Sequence, residues 1–465
     1  MLKKLLLHIF IIILPSIALA QPGCKLSTFT MADGLPSSTI STSAIAPNGM
    51  LWIATWNGLC NYDGYRFNSF IDSMGAGQVL TSNRLYELAP TNNGDVWITT
   101  FDHRLYKLSA KEQKFIDFQP ELEEIGLHGY ETSNIIVLPN DVVWILGMNG
   151  TNVRIEQEEM TIEPTGLTEA EVCLDVKLVN DKEWIIGEKT FRLYKGKKNH
   201  KAANAEIFAT KKDFVIVSDR VYLFKEENES LTQLPLPQEI GKINACCQQK
   251  SGDVVLATNV GLYSISNTNN RVKRIVEDNL TNIFSDSKER LWSILENGEV
   301  LMINSKSNSQ KRLSCTQPDS WPEISCKTPL FHEDLQSTVW LNTSNGSFCY
   351  YDEKAGQLEP IDFRTIGGSA FPMIQITKEI SDSRKNLWFT MSRNLYKLSF
   401  YDYSFHYTPT INNVEMRSVE YLGDNNLLIG SKEGHLALAS TDGTIKGFYS
   451  TDGKLHLTDY SANLS

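Results

Sequence analysis

The sequence has little of what catalytic or metal chemistry needs. Its eight cysteines lie at 24, 60, 173, 246, 247, 315, 326 and 349 and include no CxxC pair. The familiar zinc and redox spacings are thereby excluded. Its eight histidines form no HxH or HExxH pair, and no Gly-x-Ser-x-Gly elbow or phosphate-cradling glycine loop occurs. No metal and no cofactor is expected. Positive charge is also short, with 44 Lys and Arg against 55 Asp and Glu, a net charge of −11. A nucleic-acid partner is not expected, because binding a phosphate backbone needs a basic face. Helical periodicity is nearly absent. After the first residues no apolar run is long enough to span a bilayer, so no membrane insertion is expected.

The N-terminus carries the one long apolar run. Lys3 and Lys4 precede an almost wholly apolar stretch from Leu5 to Leu14, then Pro15 and Ala18-Leu19-Ala20. That pattern predicts a signal peptide over 1–20, cleaved after Ala20, and an exported, periplasmic chain. Gln21-Pro22-Gly23 ahead of Cys24 does not resemble a lipobox. Removing Lys3 and Lys4 takes the charge from −11 to −13. An exported chain permits disulfides. Cys315 and Cys326 fit either a loop disulfide or buried thiols, and the neighbours Cys246 and Cys247 point to opposite faces if they lie in a strand.

What the sequence has in abundance is repetition. Leu51-Trp52-Ile53-Ala54-Thr55, after Pro47-Asn48-Gly49, recurs as Val96-Trp97-Ile98-Thr99-Thr100 after Asn92-Asn93-Gly94. Further copies centre on Trp144, Trp184, Trp292, Trp340 and Trp388, and weaker ones on Val215, Val255 and Leu428. The copies stand 31 to 48 residues apart, the size of a four-stranded propeller blade. Each has an alternating first strand such as Ile40–Ile45, a turn, the Trp strand, a second turn and a Leu/Tyr strand. A more variable fourth strand follows, beginning near Tyr65-Arg66-Phe67. One such sheet cannot bury both faces alone, and stacking around an axis solves that. The recurrent Trp supplies apolar area between neighbours.

The opening unit carries a resemblance. Asp33-Gly34-Leu35-Pro36-Ser37-Ser38-Thr39-Ile40, Leu51-Trp52-Ile53-Ala54-Thr55, Gly58-Leu59 and Tyr62-Asp63-Gly64-Tyr65-Arg66-Phe67 follow in that order. The series resembles the two-component regulator propeller repeats of the periplasmic sensor region in hybrid two-component histidine kinases of glycan-degrading gut bacteria. The resemblance implies two seven-bladed propellers, then a β-sandwich, a transmembrane helix, a kinase, a receiver and a DNA-binding module. The fold class expected here is all-β: a seven-bladed β-propeller over 21–310 and a partial second propeller of about three blades over 311–465. Cys24 to Phe29 is expected to pair beside the Trp292 unit as the strand that closes the first ring. No phosphoacceptor-histidine motif, ATP-binding glycine box, receiver Asp or helix-turn-helix occurs, so the chain is expected to be the N-terminal part of a truncated or split sensor, without kinase activity.

The resemblance implies an oligosaccharide ligand, with a second copy of the chain as a further expected partner through the sensor region. Candidate contacts lie in the turn between second and third strands. Trp56 and Asn57 pair a stacking ring with an amide, as sugar binding uses, although a structural Trp covering the sheet edge is the favoured reading of the ring. Asp102, His103 and Arg104 form a polar cluster in the corresponding turn of the next unit, and Arg393 lies in that of the Trp388 unit. Glu121, Glu123 and Glu124 are read as an exposed acidic loop rather than an acid/base pair. Two other classes remain: a propeller enzyme such as a lyase or quinone-dependent dehydrogenase, and a protein–protein interaction module.

Overall fold

The computed structural model describes residues 23–456 apart from 73–77, 165–170, 238–239, 296, 306, 308, 316–329, 343–347, 362–378, 392–393, 402–415, 424–425, 433, 441–444 and 451–452. The signal segment, Arg393 and Cys326 lie outside the described residues.

The first repeat folds as an antiparallel meander of Ile40–Ile45, Leu51–Thr55, Gly58–Tyr62 and Phe67–Phe70. Trp52 lies opposite Ala44 on one side and Asn61 on the other. The fourth strand starts later than the sequence suggests. Tyr65 and Arg66 are turn residues, because Asp63 Oδ1 accepts both their N–H groups at 2.9 Å. The chain divides into two compact units, one over 24–400 and a second whose described strands lie within 416–456.

In 24–400 the described strands form nine four-stranded sheets. Numbered in chain order they span 40–70, 85–117, 132–164, 173–201, 206–233, 243–276, 284–313, 331–360 and 379–401. The Trp strand alternates inward and outward with period 2, so its two faces feed two different cores. Leu51 and Ile53 of sheet 1 pack with Trp388 of sheet 9. Trp52 and Ala54 instead pack with Leu88, Val96 and Ile98 of sheet 2. The same step repeats around the unit: Trp97 faces sheet 3, Trp144 sheet 4 and Trp184 sheet 5. Val215 and Val255 hold the position in the next two sheets, Trp292 faces sheet 8 and Trp340 faces sheet 9. Trp388 faces sheet 1, so the series returns to its start. Cys246 and Cys247 point to opposite faces and pack against the cores on either side of sheet 6.

The closing strand is not where the sequence places it. Gly23–Phe29 pairs with Asn394–Tyr401 in the Trp388 sheet, not beside the Trp292 unit. The reason is that the outward face of Trp292 is covered by Val339, Leu341, Cys349 and Tyr351 of the following sheet. Cys24 is buried with Trp340, Leu387 and Leu398. Phe29 stacks on Trp388 at 5.6 Å and meets Tyr62 and Phe67 of sheet 1 at 5.4 Å. The described sheets therefore close as a nine-membered ring over 24–400.

The second unit contains one described five-stranded sheet, Met416–Gly423, Asn426–Ser431, Leu436–Ser440, Ile445–Tyr449 and Leu455–His456. Its core is small: Ile429, Ala437, Ala439 and Phe448. No described helix is long and apolar enough to cross a membrane.

Candidate ligand-binding rim

The residue that follows the second strand has the same backbone role in several sheets. The N–H of Trp56 donates to Thr39 O at 3.0 Å, that of Phe101 to Arg84 O at 2.8 Å, and that of Met148 to Glu131 O at 2.9 Å. Asn259 repeats the bond to Lys242 O at 3.1 Å. Each bond ties the hairpin between second and third strands to the residue before the first strand. These positions therefore line one rim of the ring. In sheets 1 to 3 they carry large apolar side chains that stay half-exposed: Trp56 at 45 %, Phe101 at 51 % and Met148 at 48 %.

Gly58 fixes the first of these hairpins. Its φ of +107° is left-handed, and a Cβ there would sit 2.6 Å from Phe70 O, so only glycine fits. Thr55 Oγ1 donates to Gly58 O at 2.8 Å and accepts the Asn57 N–H at 3.1 Å. Trp56 is thus held at the tip of a rigid turn. The Arg84 guanidinium lies between two rings, 4.1 Å from the Trp56 centroid and 4.4 Å from that of Phe101. The two rings are themselves 6.4 Å apart, edge to face. Planar guanidinium on aromatic faces is a favoured arrangement, worth about 0.5–1 kcal/mol at exposed sites. Arg84 makes no ion pair among the described residues, so its N–H fork remains available to a ligand. Tyr86 continues the surface and meets the His103 ring at 5.8 Å.

The structure sorts the residues singled out from sequence. Trp56 and His103 belong to this rim, joined through Arg84, Phe101 and Tyr86. Asn57 faces the segment before the first strand, where its Nδ2 donates to Pro36 O at 3.2 Å. Asp102 Oδ1 accepts from Thr100 Oγ1 at 2.5 Å and Thr81 Oγ1 at 3.2 Å, and so braces the turn. Arg104 pairs with Asp117 at 3.0 Å. His103 takes the left-handed φ of 64° in that turn. Its Nδ1 is buried without a partner, as are Arg104 Nε and Thr132 Oγ1, and the Thr132 N–H donates to His103 O at 2.9 Å.

Sequence reading missed Arg84, Tyr86, Phe101 and Met148. The signal for Phe101 and Met148 was available in the repeat, since both hold the place of Trp56 in their own units. The acidic loop expected at Glu121, Glu123 and Glu124 is instead a short helix, Gln119–Glu124, that plants Leu122 in the core between sheets 2 and 3. Among the described residues no group of three or more His, Cys, Asp or Glu is placed to hold a metal ion.

No protein-family model and no curated protein matches the chain. Solved structures similar to it include the extracellular domain of a hybrid two component system from B. thetaiotaomicron, at 18 % identity over 93 % of this chain and 66 % of that one, with a TM-score of 0.38. Virginiamycin B lyase from Staphylococcus aureus is similar at 11 % identity over 81 % of this chain and 99 % of that one, with a TM-score of 0.36. The Dos1 propeller is similar at 9 % identity over 78 % and 94 %, with a TM-score of 0.41. This chain thus spans 66 % of the length of the two-component extracellular domain. The radial sheets and their interfaces define the class directly: an all-β propeller.

Proposed function

We propose that this chain is the exported ligand-sensing propeller of a two-component sensor, and that the rim of sheets 1 to 3 receives an oligosaccharide. The observation that carries the ligand reading is the Arg84 guanidinium held between the exposed Trp56 and Phe101 rings. An aromatic face stacks on sugar C–H groups, and a fixed guanidinium fork donates to hydroxyls without losing much rotamer freedom on binding. The sensor reading is supported by the ordered series from Asp33 to Phe67. A ligand that bridges neighbouring sheets stabilises one arrangement of them over another, and that difference in affinity is what a sensor transmits. The kinase that would receive the signal, and a second copy of the chain as dimer partner, belong to the same proposal.

The test is calorimetry on the full exported chain against a panel of oligosaccharide fragments. At least one fragment should bind, and Trp56→Ala or Arg84→Ala should weaken it by about tenfold or more, the equivalent of 1.4 kcal/mol. Binding that is indifferent to both substitutions, or no binding across the panel, overturns the reading.

A further inference from the structure

A cleft of about 500 Å³ opens between sheets 9 and 1, where the ring closes. It lies on the rim opposite Trp56, because turns between first and second strands and between third and fourth strands form it. Asn48, Gly49, Met50, Tyr62, Asp63 and Tyr65 wall one side. Asp382, Ser383, Arg384, Asn386, Trp388 and Lys397 wall the other.

The charges in this cleft are unequally satisfied. Asp63 is occupied by the N–H groups of Tyr65 and Arg66 and by Arg66 Nε at 3.5 Å. Asp382 accepts the N–H groups of Arg384 and Asn386 at 2.9 Å, Trp388 Nε1 at 3.0 Å and Asn386 Nδ2 at 2.9 Å. Both carboxylates are therefore committed to their own turns. The two cations are not. Lys397 Nζ stands 5.0 Å from the Trp388 centroid and 6.0 Å from that of Tyr62, half-buried, with no hydrogen bond or ion pair among the described residues. Arg384 is exposed beside it, and its guanidinium has no carboxylate partner among the described residues. Burial holds the Lys397 ammonium below its ordinary pKa; Asp382 opposes the shift and Arg384 adds to it. The formal charges of the cleft balance, two carboxylates against two cations, but the carboxylate oxygens are already hydrogen-bonded whereas the cationic N–H groups are free to donate. Tyr65, 96 % exposed, stands at its mouth.

We propose that this seam cleft binds an acidic sugar, with the carboxylate of a uronate unit on Lys397 and Arg384 and the sugar ring against Tyr65. The anion follows from the unpaired cations, whereas the sugar rests on the glycan-sensing reading above. Because the walls come from the first and last sheets of the ring, the bound ligand ties its two ends together.

Digalacturonic acid and its neutral counterpart digalactose, titrated into the full exported chain, decide the matter. The acid should bind and raise the melting temperature, and digalactose should not compete for the site. Lys397→Met should weaken the acid by about tenfold or more and Lys397→Arg should retain it, as a charge-assisted contact requires. Arg384→Ala, on an exposed side chain with no ion pair among the described residues, should also weaken it and serves if Lys397→Met does not fold. Rising salt should weaken the acid in every form that binds it. Equal affinity for the two disaccharides, no binding of the acid, or indifference to both substitutions overturns the proposal. Neutral-glycan binding lost in Trp56→Ala and unchanged in Lys397→Met would sink the cleft and leave the rim. Acid binding lost in Lys397→Met with no neutral glycan bound would sink the rim and leave the cleft.

Discussion

Trp292, Trp340 and Trp388 share a device that the other described tryptophans lack. Each indole Nε1 donates to the carboxylate six residues earlier: Asp286 at 2.9 Å, Asp334 at 2.7 Å and Asp382 at 3.0 Å. The same aspartates accept the N–H groups two and four residues on, so one carboxylate both shapes the turn before the strand and satisfies the buried indole. Trp144 meets the need differently, through Glu183 of the next sheet at 2.8 Å, and that carboxylate also holds the buried Arg154. Asp334→Ala leaves the Trp340 indole and the N–H of Thr338 without their acceptor. The expected cost is about 2–4 kcal/mol, more than one hydrogen bond because several donors are stranded together. Urea unfolding of this variant should show it, and Asp334→Asn, which keeps one acceptor oxygen, should lose less. The Asp-to-Trp spacing of six is visible in the sequence in all three units, yet its purpose is not, since nothing local says that the indole turns back toward the turn.

Strands and turns were legible because they are local. Period-2 alternation, Gly and Asn at turns, and the recurrent Trp place the first three strands of the opening unit, Ile40–Ile45, Leu51–Thr55 and Gly58–Tyr62, correctly. Trp56 and His103 were correctly put in hairpin turns for the same reason. The Arg84 contact with the two rings was not legible, because it joins residues 28 and 17 positions from their ring partners across two sheets. A similar cross-sheet latch is expected to make the fold sensitive to acid. His332 Nε2 lies 2.6 Å from Lys385 O on the neighbouring sheet, and its ring stacks on Phe400 at 4.8 Å. His200 is packed between Phe191 at 5.4 Å and Phe224 at 5.3 Å. Burial pushes both imidazoles below the ordinary 6.5, outweighing the Lys385 carbonyl and Asp334 for His332 and Glu229 for His200. The unfolded chain therefore takes up protons near pH 6.5 that the folded chain refuses. Stability from these groups is fully present above that pH and falls as the pH drops below it. Urea midpoints at pH 7.5 and 5.5 should differ in that sense, and His332→Gln, which keeps a donor for Lys385 O, should shrink the difference.

At the scale of the ring over 24–400, the described cores join each sheet to the sheets on either side of it, and that is why the number of units in a ring is hard to read. Trp52 and Trp292 face the next sheet by the same rule, so nothing in either repeat says whether the next sheet continues the ring or begins another. The information lies instead in one short strand, 23–29, and in what it pairs with. Its residues are ordinary: Cys24 and Leu26 reach the core of sheets 8 and 9, and Phe29 reaches Trp388, Tyr62 and Phe67. Removing 23–29 would leave Asn394–Tyr401 as a bare edge and uncover one side of Trp388. The truncated chain should unfold at lower urea than the intact one by more than Phe29→Ala, which alone should cost about 3 kcal/mol. A synthetic peptide of residues 23–29 should then restore much of the loss by adding back the missing strand. A peptide with Cys24, Leu26 and Phe29 changed to serine should not. Recovery by both peptides, or by neither, would mean that this strand covers the edge without closing the ring.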